Sequence, residues 1–314
     1  MNPSLFRVLR RQSRPIFLLG AALFYALGAG VAHYLGISID WGLYVLGQAW
    51  VTALQLSAHF LYEYFEYSSP HPVPPDANLF SRTSRGTNAE GNNSSHPELE
   101  KLPRPTYLIA ATIALTITAF FTVLLLQVAP LSPLLGFILI VGFLGAFFYS
   151  VPPVHLATSG YGELMISILV ANLIPAFAFL LQFSDLHRLI MMVTLPLTSL
   201  HLAMMLALEF PTYAANLKRR ERNLLVRLGW KTAMKFHNIL ILSTFLLLGL
   251  AMVYGLSFTI AIPSFLVLPL GLLQIWQMHL IDGGAKPNWK ILSLTAVASL
   301  GSMVYLLAFA FWIR

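Results

Sequence analysis

Residues 59–67 read His-Phe-Leu-Tyr-Glu-Tyr-Phe-Glu-Tyr and close a long apolar run. On a helix, positions i, i+3 and i+4 share a face, so His59, Glu63 and Glu66 line one stripe with Tyr62 alongside. A second stripe lies far downstream. In "LEFPTYAANLKRRER", Glu209, Thr212 and Asn216 fall on one helical face behind another apolar stretch. Ionisable groups at membrane depth are costly and face a cavity or a partner. Adjacent carboxylates repel unless a proton or cation intervenes. The natural cation is a hard divalent ion such as Mg²⁺, which takes oxygen ligands and is often held by one or two carboxylates plus substrate phosphates. The competing reading places Glu63 and Glu66 at the solvated headgroup level, where an acid is cheap. His59 could ligate a metal, position a substrate or act as a base, or be a satisfied histidine within a bundle.

The elements that must carry these stripes follow from composition. The chain has 314 residues, 57% of them hydrophobic and 10% charged, with a mean hydropathy of +0.74. Apolar runs of about 20 residues recur along it, each long enough to cross a hydrocarbon core as a helix. The expected fold is all-α and polytopic, with nine spans at about 16–36, 41–66, 106–128, 131–150, 161–183, 188–211, 233–254, 257–280 and 289–312. Short alternating segments of a membrane barrel are not seen. With no cysteine, the chain has no disulfide, thiolate nucleophile or cysteine-ligated metal. The net charge of +7 does not point to nucleic acid, because the basic residues cluster in loops beside apolar runs.

Those loops set an expected topology. Segments 67–105, 212–232 and 281–290 carry most of the loop Lys and Arg, whereas the turns near 37–40, 129–130 and 255–256 carry none. The positive-inside bias then puts the N-terminus in the cytoplasm and both acidic stripes at the cytoplasmic face. Residues 1–15, with Arg7, Arg10, Arg11 and Arg14 beside Leu5, Phe6 and Leu9, read as a short interfacial helix on that surface. Residues 16–314 read as one membrane-embedded domain. The loop 67–105, with seven prolines and "RGTNAEGNNSS", reads as flexible. Its sequons at Asn92 and Asn93 fall on the cytoplasmic side and are read as chance.

Four stretches in order resemble the UbiA superfamily of intramembrane prenyltransferases, especially its menaquinone-type branch (1,4-dihydroxy-2-naphthoate polyprenyltransferases). "FLYEYFEY" stands where that family has an Asn-Asp-x-x-Asp-like motif, with Tyr62 at the asparagine and Glu63 and Glu66 at the aspartates. "FFYSVPPVHLATSGYGELMI" resembles the family's Tyr-Ser/Thr-x-x-Pro…Gly-x-Gly-Glu segment. "TYAAN" falls at the second Asp-rich motif, with Thr212 and Asn216 replacing both aspartates, and "NLLVRLGWKTA" resembles "TLAVRLGRRRA". The lysine usual after the paired prolines is absent, with Ala157 near its place.

The resemblance implies a UbiA-like ring of helices around a central cavity. It also implies transfer of a polyprenyl group, with Mg²⁺, from a prenyl diphosphate to a lipid-soluble, aromatic, quinone-precursor-like acceptor. Carried over residue by residue, Glu63, Glu66 and Asn216 would hold the metal–diphosphate and be catalytic; Glu209, one turn before the second motif, would restore one of its lost charges and join the metal ligands. His59, Tyr62, Tyr149, Thr212, Lys218 and Arg222 would contact substrate. Arg222 is the preferred cation for the leaving group, with Arg219, Arg220 and Arg85 as further candidates. Tyr62, Tyr64, Phe65 and Tyr149 could face a carbocation. Glu163 is expected to fix the start of the fifth span through backbone N–H groups. A non-catalytic, lipid- or quinone-binding derivative is the alternative, because the second motif has lost two charges.

Overall fold

The computed structural model describes residues 15–66, 103–130, 132–218 and 221–314. The interfacial reading of 1–14, most of the 67–105 loop, Arg85, Arg219 and Arg220 lie outside the described residues. Among the described residues the chain forms helices joined by turns and short irregular stretches, with no strand. The helices are α1 (Pro15–Tyr34), α2 (Trp41–Glu66), α3 (Arg104–Val128), α4 (Pro133–Ser150) and α5 (Gly162–Leu180). Then come α6 (Arg188–Glu209), the short α7 (Leu224–Leu228), α8 (Trp230–Val253), α9 (Phe258–Asp282) and α10 (Trp289–Trp312). Leaving aside α7, these nine long helices match the nine expected spans.

Eight of the nine are long and apolar enough to cross a membrane. The exception is α2, whose 26 residues span about 39 Å at 1.5 Å per residue. That exceeds a hydrocarbon core of roughly 30 Å, but Gln48, Gln55, His59, Glu63 and Glu66 dilute its apolarity. The outward faces are rich in bare apolar side chains, with Leu246 and Leu266 each 74% and Val253 81% exposed. Only lipid makes such a belt inexpensive. The chain is a multi-pass integral membrane protein.

Local sequence sets the helix starts. Ser132 accepts the Leu135 amide at 3.1 Å ahead of Pro133, and Asn288 accepts the Ile291 amide at 3.2 Å. The helices then pack in a ring-like bundle. α2 lies against α3 and α4, α1 against α5 and α10, and α6 against α8 and α10, with α9 beside α8 and α10. Tryptophan indoles tie the elements together. Trp50 Nε1 donates to Thr122 Oγ1 at 2.8 Å between α2 and α3. Trp312 Nε1 donates to the Ala26 carbonyl at 2.9 Å, and its ring stacks on His33 and Trp41.

Small residues allow the closest approaches. A Cβ on Gly28 would sit 2.1 Å from the Pro175 carbonyl oxygen, so only glycine lets α1 meet α5 there. α5 itself widens into a π turn at Leu169–Leu173 before Pro175. α6 is the most enclosed span, and it ends in a 3₁₀ turn, Phe210–Thr212, before continuing as Tyr213–Lys218.

Candidate functional site

A cavity of about 300 Å³ opens among α1, α2, α5, α6 and α10, with Tyr149 of α4 at its edge. Its walls are mostly apolar, from Leu19, Leu23 and Phe24 on α1 to Leu300 and Val304 on α10. The polar groups on its lining are Gln55, His59, Tyr62, Tyr149, His201 and Glu209. The bundle thus brings His59 and Tyr62 of the first stripe to the same hollow as Glu209 of the second. A smaller apolar slot, bounded by Trp50, Gly142, Leu173 and Phe177, adjoins it and shares Gln55, Ala58, Tyr149, Ile166 and Val170 with it.

The other expected residues do not line this hollow. Glu63 is buried, at 7% exposure, and Glu66 is half-buried at the end of α2. Tyr62 lies 6.5 Å from Tyr149 and 6.3 Å from His155, ring centre to ring centre. His155 follows Pro153 in a left-handed conformation, φ 39°, on the segment joining α4 to α5. Burial lowers its pKa below the usual histidine value, and the nearby Glu66 carboxylate opposes that shift. Tyr64 and Phe65 turn the other way. The Arg104 guanidinium sits 4.4 Å over the Tyr64 ring, and both aromatics pack against the Phe60–Tyr107 cluster. They are wall residues between α2 and α3.

The second stripe is knit into its own network. Thr212 donates to the Glu209 carbonyl at 3.0 Å. Asn223 caps α7, its Oδ1 taking the Val226 amide at 2.8 Å, so its Nδ2 is the atom left to face Asn216. Asn216 therefore presents its oxygen to Asn223 Nδ2 at 2.9 Å and its nitrogen to Glu221 Oε2 at 3.2 Å. Where a second carboxylate would be needed for a metal, an amide stands, saturated by neighbours. Lys218 and Arg222 are exposed beyond it.

Glu163 is fully buried and its Oε2 accepts the Leu224 amide at 3.2 Å. That amide stands at the start of α7, 61 residues on, a tie beyond the start of α5 that the sequence reading assigned to Glu163. Arg227 of α7 lies 4.1 Å over the Tyr161 ring, a second clasp between the same segments. Among the described residues, no three histidines, aspartates or glutamates come together as a group able to hold a metal ion.

Three contributors escaped the sequence reading. Glu221 was masked by a run of cations, "KRRER", and its only signal was being the acid within it. Gln55 lies one turn before His59 on the same face of α2, and extending the stripe backward would have included it. His201 was left unassigned, and its partner Ser167 belongs to another span.

No protein-family model matches the sequence, and no curated protein matches it either. Solved structures do. A UbiA homolog from Archaeoglobus fulgidus bound to GPP and Mg²⁺ superposes with a TM-score of 0.65 at 16% identity, covering 98% of this chain and 100% of that one. This chain has the UbiA fold. The same homolog bound to DMAPP and Mg²⁺ gives 0.65 at 16% identity over 97% and 99% of the two chains. A structure described for digeranylgeranylglyceryl phosphate synthase in membranes gives 0.63 at 12% identity over 98% and 97%.

Proposed function

We propose that this protein is an intramembrane prenyltransferase of the UbiA type, with a lipid-soluble aromatic acceptor of the quinone-precursor kind, as in the menaquinone branch. The observation that carries the reading is the shared hollow. His59 and Tyr62 of α2, Tyr149 of α4 and Glu209 of α6 line one apolar cavity, in a fold whose solved examples include a homolog bound to GPP and Mg²⁺. The cavity mouth faces the cytoplasm with the N-terminus on the same side, following the loop charges.

In this reading a prenyl chain lies along the apolar walls and its diphosphate rests at the mouth. Glu209 would supply oxygen from the lining there, and Glu63, Glu66, Thr212 and Asn216, outside the lining, would have to reach the diphosphate from the ends of α2 and α6. The donor set does not fit a resident ion in an all-protein cage, since no triad of acids or histidines is assembled among the described residues. It fits Mg²⁺ that arrives as the diphosphate complex, most of its ligands being phosphate oxygens and water. Such an ion supplies positive charge to the departing oxygens. Lys218 and Arg222, exposed past the second stripe, add cationic donors. The prenyl C1–O bond breaks, pyrophosphate leaves with the electron pair, the acceptor carbon bonds to C1, and the acceptor loses a proton. Tyr62 and Tyr149 offer ring faces to the allylic cation, and the apolar walls keep water from it.

The test is incubation of the purified protein with prenyl diphosphates of several lengths, MgCl₂ and hydroxyaromatic acceptors. The expected outcome is a prenylated product with one pyrophosphate released per product, and a loss of at least about a hundredfold in kcat for Glu209→Gln, the size seen when a charge-stabilising group is removed. Folded protein that yields no product with any pair would refute the enzymatic reading. One observation favours a second, non-catalytic reading as a lipid- or quinone-binding subunit: Asn216 is saturated by Asn223, Glu221 and Thr212. That reading predicts binding of apolar aromatics that is indifferent to Mg²⁺ and diphosphate.

A further inference from the structure

We propose that the apolar slot between α2, α4 and α5 receives the far end of the prenyl chain, and that Trp50 and Gly142 limit the length of chain accepted there. The inference rests on the transferase reading and names which donors its site takes.

Three helices agree on which end of this slot of about 80 Å³ is deep. Along α2, Trp50 and Leu54 line the slot alone, Gln55 and Ala58 line both hollows, and His59 and Tyr62 line only the larger cavity, with Glu63 and Glu66 beyond them. On α4, Ile138 and Gly142 precede the shared Tyr149. On α5, the shared Ile166 and Val170 precede Leu173 and Phe177. The slot therefore leaves the larger cavity near Ala58 and Tyr149 and runs away from the acidic end of α2. Trp50 lies about 14 Å from His59 along the helix axis, at 1.5 Å per residue.

Local structure makes the room. The π turn Leu169–Leu173 widens α5 at this depth, and its Leu169, Val170 and Leu173 are slot wall. Opposite it α4 carries a glycine: a Cβ on Gly142 would come within 3.0 Å of the Trp50 ring. Trp50 and Phe177 stand at the deep end with ring centres 4.8 Å apart, and Trp50 is held from behind by its 2.8 Å hydrogen bond to Thr122. Chemistry then chooses the occupant. The Gln55 amide and the Tyr149 hydroxyl belong to the shared junction, and the Trp50 indole N–H is already given to Thr122. Past the junction the remaining wall is aliphatic or phenyl. A hydroxyaromatic ring pushed in would leave its hydroxyl without a side-chain partner, whereas a prenyl chain only buries apolar surface. The acceptor keeps the polar groups of the larger cavity. A chain whose diphosphate is held near the acids and whose tail meets a fixed indole is measured between the two.

The experiment uses the full-length protein in detergent with MgCl₂ and no acceptor, so that it does not depend on turnover. A farnesyl diphosphate analogue with a diazirine at its tail end is photo-crosslinked and the label is mapped by mass spectrometry. We expect label on residues 138–146 of α4 or 169–177 of α5, displaced by unlabelled farnesyl diphosphate. Label confined to α1 and α10 overturns the inference. So does a phospholipid with a diazirine-tipped acyl chain that labels the slot and is not displaced by farnesyl diphosphate, which would make the slot a lipid seat. Displacement of the label also gives dissociation constants for geranyl, farnesyl and geranylgeranyl diphosphate. Gly142→Val should weaken geranylgeranyl diphosphate roughly tenfold, the low end of what a methylene's worth of pocket space decides, and leave geranyl diphosphate unchanged. Trp50→Leu should shift preference severalfold toward the longest chain, and it carries the test if Gly142→Val does not fold. No change in either variant, or an equal change at all three lengths, overturns the inference. If the label maps to the slot but no acceptor is prenylated, the transferase reading fails and the slot assignment stands; product formed while the label stays on α1 and α10 does the reverse.

Discussion

Removing the Glu163 side chain tests the clasp between α5 and the segment that follows α6. In Glu163→Ala the Leu224 amide loses its acceptor while Leu224 stays buried, at 8% exposure. A hydrogen bond contributes about 0.5–1.5 kcal/mol net, and an orphaned buried donor costs about 1–3 kcal/mol. These overlap, so a combined loss of about 2–3 kcal/mol is expected. At 1.4 kcal/mol per decade that multiplies local opening of α7 roughly 30- to 140-fold. The readout is amide exchange in residues 224–229, where Arg227 N–H donates to the Asn223 carbonyl and Gly229 N–H to the Leu225 carbonyl, each at 3.0 Å. Exchange across that peptide should accelerate by about that factor, with α8 and α10 unchanged. Glu163→Gln, which keeps a neutral oxygen, should fall between. Unaltered exchange in Glu163→Ala would mean that the clasp does not hold α7, and the account of how the second stripe is positioned would fail with it.

Two further outcomes probe the rim. Asn216→Asp sets a second carboxylate about 3.2 Å from Glu221 Oε2, and like charges that close disfavour one another. The melting temperature in EDTA should drop, and millimolar Mg²⁺ should restore it; no restoration would refute a cation role for this seam. His155 has its pKa lowered by burial from about 6.5 in the unfolded chain. The unfolded state then binds more protons in the window just below pH 6.5, so stability present above that pH is lost as pH falls toward the lowered folded value. His155→Gln should flatten the acid slope of the melting temperature just below about pH 6.5. Glu66→Gln, by removing the opposing charge, should steepen it. Identical slopes in all three proteins would contradict this.

The bundle was readable because hydrocarbon thickness imposes a length on every span, and runs of that length leave little ambiguity. The expected and observed limits of α2 (41–66) and α10 (289–312) coincide. The stripes were only half readable. A helical wheel assumes a constant 3.6 residues per turn, and α6 departs from it at Phe210–Thr212, where Pro211 starts a 3₁₀ turn of three residues per turn. The phase slips there, so Glu209 lines the cavity while Thr212 and Asn216 join the loop network. Tyr64 and Phe65 lay among the site candidates because an aromatic next to an acid looks catalytic, yet their helical phase turns them toward α3. The partnerships Ser167–His201 and Glu163–Leu224 join residues 34 and 61 positions apart. Only the packing of α5 on its neighbours creates them, and no local pattern encodes it.

The pairing of α1 with α10 has a consequence for biosynthesis. The Trp312–Ala26 hydrogen bond bridges 286 positions, and at about 5–20 residues per second a ribosome needs roughly 15–60 s to cover them. For that interval α1 sits in the bilayer with Gly30, which packs on Trp312 and Phe311, bare, and the chamber gapes sideways into lipid. A helper that shelters this nascent seam, or a neighbouring lipid that plugs it, would govern the yield of correctly assembled protein more than the intrinsic strength of any single span.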